Sequence, residues 1–196
     1  RISDETLYFN GESTLISLQN GGGKSVLVQM LTAPFVHPKY RNTKDRLFES
    51  YFTTNKPSFI LVEWALDQGA GYVLTGLMVR KSQDMEEDRK ENLDIIGIVS
   101  EYQSPCIQDI HHLPVVEKGK KEMILKNFNS CRQLFETYKK DRDMKFFYYD
   151  LTNYAQSRQY FNKLMEYQIN YKEWETIIKK INLKESGLSD LFADCK

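Results

Sequence analysis

Three consecutive glycines, Gly21-Gly22-Gly23, stand between a short apolar, β-leaning run, Thr14 to Leu18, and a stretch in which Val26, Leu27, Met30 and Leu31 recur at helical spacing. Glycines in series weaken any helix or strand that contains them, so the chain must turn here. The segment therefore reads as strand, loop and helix, and Pro34 and Pro38 close that helix because proline supplies no interior amide.

A loop of this kind has a specific chemical use. Backbone N–H groups without side chains in the way can wrap an anion, and the following helix adds the positive end of its dipole. The residues that follow, Lys24 and Ser25, complete the pattern of a phosphate-binding loop, in which the lysine reaches the β- and γ-phosphates and the hydroxyl holds magnesium. On this reading Asn20, Gly21, Gly22, Gly23, Lys24, Ser25 and Val26 contact nucleotide, Ser25 is the magnesium ligand, and the cofactors are ATP and Mg2+. The usual spacing GxxxxGK[ST] places its first glycine at position 18, where this chain has Leu18. The competing reading is a glycine-rich turn that happens to precede lysine and serine. The strand before and the helix after favour the phosphate loop.

Further along, Ser58 to Leu66 and Tyr72 to Arg80 are apolar runs joined by Asp67-Gln68-Gly69-Ala70-Gly71, which predicts an antiparallel hairpin with positive φ at its turn. Asn42 to Phe52 is expected as a short helix. The charged stretch Lys81 to Asn92 reads as a solvated loop, and Leu93 to Val99 as a further strand of the same sheet. Beyond Lys118 three helical faces are expected. They are marked by Cys131, Leu134, Phe135 and Tyr138; by Phe161, Leu164 and Met165; and by Trp174, Ile177, Ile178 and Ile181. The aromatic run Met144 to Leu151 is expected as a strand between the first two. The fold expected is α/β, a single domain over residues 1–196. It would have a P-loop and β-rich part at 1–117 and a mainly helical part at 118–196.

Composition limits the partners. Lys plus Arg and Asp plus Glu are each 27 in 196 residues, so no global field draws the chain to nucleic acid or an anionic membrane. Lys118 to Lys145 holds the one notable basic excess, with Phe128, Phe135 and Tyr138 interleaved. Such a segment can contact DNA phosphates, although a solvated helix face is the default reading. Cys106, Cys131 and Cys195 are odd in number and scattered, which argues against a disulfide framework or a zinc site and fits a reducing cytoplasm. No run approaches the roughly 20 apolar residues of a membrane span, so no membrane association is expected. The chain opens at Arg1 without an initiator Met and stops at Lys196, which leaves open whether its ends are boundaries within a longer protein.

Other candidates carry ordinary alternatives. Asp150 ends the run Phe146-Phe147-Tyr148-Tyr149 as a Walker B aspartate would, but no glutamate follows it, and an aspartate opening the turn before Thr152-Asn153 is favoured. Asp150 is thus a weak candidate for a catalytic role that the sequence otherwise leaves unassigned. Glu185-Ser186-Gly187-Leu188-Ser189 faintly resembles an ABC signature sequence, yet a helix end with a glycine stop is the better reading. His111-His112 lacks the i, i+4 spacing of zinc enzymes and reads as a loop pair. Gln29, Gln103, Gln108 and Gln156 are each possible magnesium-contacting glutamines, with Gln156 preferred because it follows an expected strand.

With these features placed, the chain resembles the N-terminal half of the head in SMC-like ATPases of the MukB and Wadjet JetC type. The resemblance rests on Asn20-Gly21-Gly22-Gly23-Lys24-Ser25, which is similar to the loop NGxGKS of that family, on Tyr40-Arg41-Asn42-Thr43, and on the strand pair Ser58 to Arg80. It implies an ABC-type P-loop head split in sequence, whose signature motif, Walker B aspartate and catalytic glutamate lie in a second lobe beyond a coiled coil. The implied partners are that C-terminal lobe, a second head in a homodimer that sandwiches ATP, DNA and kleisin-like subunits. The implied setting is the bacterial cytoplasm and nucleoid. Arg41 would face nucleotide or DNA. Two alternatives stay open: a self-contained P-loop kinase with Asp150 as magnesium ligand, and a nucleotide-dependent interaction module without hydrolysis.

Overall fold

Alternating and continuous apolar runs become a four-stranded antiparallel sheet. The computed structural model of the chain describes residues 5–9, 23–84 and 87–193, with 184–193 as backbone only. Its strands are β1 (Ser58–Ala65), β2 (Tyr72–Lys81), β3 (Leu93–Tyr102) and β6 (Lys145–Asp150), in the order β1-β2-β3-β6. The expected hairpin is present. Its connection is a tight turn at Asp67–Gly69, with positive φ at Gln68, Gly69 and Gly71, closed by the Leu66 amide on the Gly71 carbonyl at 2.8 Å. Glycine tolerates that backbone without a Cβ penalty. The central strand β2 is buried from Val73 to Val79, which explains its unbroken apolar sequence.

Between β3 and β6 the chain makes a separate two-stranded ribbon, β4 (Val116–Lys118) with β5 (Met123–Leu125), and then helix α3 (Phe128–Lys140). Asn127 caps α3 by accepting from the Ser130 amide at 2.8 Å, and Asn153 caps α4 (Tyr154–Met165) by accepting from the Gln156 amide at 3.1 Å. Helix α1 (Lys24–Thr32) leads through a turn at Ala33–Phe35 to the short α2 (Pro38–Arg41), and α5 (Tyr171–Ala193) ends the described chain.

The two faces of the sheet carry separate cores. Val73, Leu77, Val79, Ile95 and Val99 pack beneath the α1–α2 segment, α4 and the start of α5 through Phe35, Tyr160, Phe161, Leu164 and Trp174. Met78, Ile96, Ile98 and Phe146 pack beneath α3 through Phe128, Cys131, Phe135 and Tyr138. Gly97 is what lets α4 sit this low. A Cβ there would lie 2.7 Å from the Tyr160 ring.

Several expectations are corrected. Asn42 to Phe52 is not a helix. Helical structure there is a short α2 ending at Arg41 and a single turn at Phe48–Tyr51, because Asn42 and Leu47 are extended and the Asn42 side chain accepts from the Phe48 amide at 2.8 Å. Gly187 does not stop α5, which continues to Ala193. Strand β6 from the 118–196 part pairs with β3 from the 1–117 part over Ile96 to Glu101. Lys81 to Asn92 is not wholly solvated, because Ser82 is buried and Arg89 bonds both Ser82 Oγ at 2.7 Å and Asp94 at 3.1 Å. The strand expected at Thr14 to Leu18 lies outside the described residues.

Candidate functional site

The site is built from the first turn of α1. Gly23 adopts φ 82°, ψ 20°, and its carbonyl accepts the Leu27 amide at 2.9 Å, so the helix begins on a left-handed residue that only glycine adopts at little cost. Lys24 and Ser25 follow, both exposed. Among the described residues no side chain caps this end of the helix, and its first turn holds no acidic residue. The first-turn amides of a helix have no intrahelical partners and sit at its positive end, so this terminus suits an anion. Val26, half-buried, anchors the same turn. Asn20, Gly21 and Gly22 lie outside the described residues.

Beside this turn runs a groove lined by Ser25, Val28, Tyr40, Asn42, Ile181 and Asn182, among others. Its enclosed volume is about 20 Å³, room for roughly one water molecule. The groove brings α1, the Tyr40–Thr43 segment and α5 together at one point.

Buried polar groups hold that junction. Gln29 donates to the carbonyls of Arg41 at 2.8 Å and Arg46 at 3.2 Å, and accepts from the Tyr51 hydroxyl at 2.8 Å. Arg41, only 2% exposed, donates from Nε to the Ala33 carbonyl at 3.1 Å and lies against Phe48. Burial lowers the pKa of its guanidinium, opposed by the nearby charge of Glu91. Burial likewise raises the Glu91 carboxyl, with Arg41 opposing, and Glu91 Oε1 is buried without a hydrogen-bond partner. The Tyr160 hydroxyl donates to the Pro34 carbonyl at 2.7 Å, and His37 bridges to Glu175 of α5 at 2.7 Å while stacking on Phe161. These bonds tie the C-terminal end of α1 and residues 33–37 after it to residues 41–51, to α4 and to α5.

Arg41, expected to face nucleotide or DNA, is an interior arginine that also lines the groove beside Ser25. Sequence marks it only as basic; its burial comes from Phe48 and Ala33, which are distant in the helical pattern. Asp150 accepts from the Thr152 amide and hydroxyl at 3.0 and 2.7 Å and so opens a turn. It ends the edge strand β6 of an antiparallel sheet and is not among the residues lining the groove. All four glutamines have structural partners: Gln29 as above, Gln103 on the Ala70 carbonyl, Gln108 on Ser100 Oγ, and Gln156 accepting the Asp150 amide at 2.9 Å. Gln156 thus fastens the β6–α4 turn. His112 is held by the buried Asp109 at 2.8 Å, within a turn.

The basic segment is partly neutralised. Lys145 pairs with Glu101 at 2.8 Å, Lys140 with Glu136 at 3.4 Å, and Lys139 lies over the Tyr148 ring. Cys106 and Cys131 are free thiols, and burial pushes the latter up to about 11. No helix among the described residues is long and apolar enough to cross a membrane. Compared with protein-family models, characterised proteins and solved structures, the chain matches none.

Proposed function

We propose that this chain is the ATP-binding N-terminal lobe of an SMC-like ATPase head, acting in DNA organisation, segregation or plasmid defence. One observation carries the reading: a left-handed Gly23 directly ahead of exposed Lys24 and Ser25, on a helix whose first turn holds no acidic residue. Amides of a helix's first turn can bond phosphate oxygens. Lys24 would reach the β- and γ-phosphates, and Ser25 Oγ would hold magnesium together with those phosphates. Magnesium, when bound, would neutralise charge on the phosphate oxygens.

Among the described residues no carboxylate lines the groove beside Ser25, and in this reading a base or water-orienting group comes from elsewhere. A C-terminal lobe and a second head supply it in this reading. DNA and kleisin-like subunits are further partners, and the P-loop core would lie on the Gly23 side of the antiparallel sheet. The polar clamp around Gln29, Arg41 and Tyr160 gives α1 a fixed seat, which a phosphate cradle requires.

Calorimetric titration of Mg-ATP into the wild-type chain and Lys24→Ala tests the proposal. Loss of a charged hydrogen-bond donor is expected to weaken binding by about 2 kcal/mol, or ~30-fold. Unchanged affinity would refute the phosphate-loop reading. Rapid steady-state hydrolysis by the chain alone, abolished by Asp150→Ala, would instead favour a self-contained enzyme over a half-head.

A further inference from the structure

The β4–β5 ribbon is unusual in this molecule because every one of its strand residues is exposed. Four of the six are apolar: Val116, Met123, Ile124 and Leu125, with Met123 61% exposed. Among the described residues β5 pairs with β4 alone, so its outer edge carries no strand. A lone two-stranded ribbon is marginal in water, and an unpaired apolar edge is a template for another strand.

Backbone bonding says which groups that edge offers. The Lys126 amide donates to the Val115 carbonyl and the Gly119 amide to the Glu122 carbonyl, both at 2.8 Å, with Ile124 opposite Glu117 between them. In an antiparallel ladder hydrogen-bonded pairs recur at every second residue. Residues 122, 124 and 126 thus turn their polar groups towards β4. Met123 and Leu125 turn their N–H and C=O outward.

The geometry points to a second copy of this chain as the occupant of that edge, added antiparallel about a two-fold axis through Ile124. In this register Met123 of one copy faces Leu125 of the other, and both present outward-facing backbone groups, so four inter-copy hydrogen bonds form. Ile124 meets Ile124 as the close non-hydrogen-bonded pair. At each end Glu122 falls opposite Lys126, giving two opposite-charge pairs. Centring the axis one residue earlier sets Glu122 against Ile124; one residue later, Ile124 faces Lys126. The β4 edge is excluded as the self-pairing surface, because a two-fold at its centre would set Glu117 against Glu117. Pairing through one edge only closes the assembly at two copies. An edge of three residues buries less than a standard interface, so the dimer belongs to the weak, transient class. It requires no nucleotide and does not depend on the proposed ATP site.

Sedimentation velocity over a wide concentration range, in EDTA and without nucleotide, tests this. The wild-type chain should show a concentration-dependent monomer–dimer equilibrium. Leu125→Pro should abolish it, since the lost N–H points away from β4 and the ribbon itself keeps its bonds. Glu122→Lys and Lys126→Glu should each weaken dimerisation on the order of tenfold by setting like charges opposite, and the double variant should restore it. Thermal unfolding matching wild type in each variant separates this from a folding defect. A chain monomeric at all concentrations, a dimer indifferent to Leu125→Pro, or a double variant that fails to rescue would overturn the assignment.

Discussion

The two faces of the central sheet are packed by different chemistry. Beneath α3 the packing is mainly apolar and aromatic, with Phe135 tilted and Tyr138 edge-on against Phe146 at 5.5 and 5.3 Å, while the buried Ser100 and Gln108 bond to each other at 2.9 Å further along the same strand face. On the opposite face aromatic packing is joined by buried polar groups, with Arg41, Gln29 and Tyr160 each bonded to a backbone carbonyl of the α1–α2 segment. Apolar packing is non-directional and tolerates small shifts, whereas a buried arginine or glutamine must keep its partners or incur the full desolvation cost. The face that seats α1 carries more of these directed bonds.

The sharpest way to break this contrast is Arg41→Met. It leaves Glu91 in the interior without its counter-charge, and the Ala33 carbonyl loses its donor. A destabilisation of about 3–5 kcal/mol in urea unfolding is expected, together with weaker nucleotide binding where the protein remains folded. Phe135→Ala on the other face should cost a similar ~3–4 kcal/mol by leaving a cavity, yet leave nucleotide affinity unchanged in calorimetry. If it altered affinity as much as Arg41→Met, the contrast between the two faces would not hold.

A smaller effect sharpens the contrast. Tyr160→Phe removes only the hydroxyl that meets the Pro34 carbonyl and should cost about 1–2 kcal/mol, read as a lowered melting temperature. Smallest is an acid-side effect at the sheet's end. Burial pushes the Asp94 carboxyl up, but hydrogen bonds from Arg80 and Arg89 together outweigh it and hold the group below its ordinary value. The stability this lends is present above the carboxyl's unfolded pKa, near 3.8, and is lost as pH falls through the lowered folded value. Asp94→Asn should therefore flatten the acid limb of the stability profile while changing the alkaline limb little, as followed by circular dichroism.

Much of the fold was legible in the residues. The hairpin, the strand at Met144 to Leu151 and the three late helices follow from apolar period and turn chemistry, both of which are local. Asn42 to Phe52 misled because Leu47, Phe48 and Tyr51 have a helical spacing, while the Asn42 side chain bonds the Phe48 amide and holds the backbone extended. The glutamines show the limit on the candidate site. Each has the same chemistry in sequence, and only the fold reveals that Gln29 clips the Tyr40–Tyr51 segment to α1 while Gln156 fastens a turn at the sheet's far edge.

The glycines ahead of Lys24-Ser25, the apolar runs of the strands and the helical faces are written in nearby residues, so the sequence alone determined most of the elements and the expectation of a phosphate-binding turn. Tertiary structure decided which side chains support that turn. Arg41 became an interior clamp, Asp150 a turn former, and the β5 edge an open one, because burial and partner choice depend on residues far apart in the chain. No local pattern carries that information.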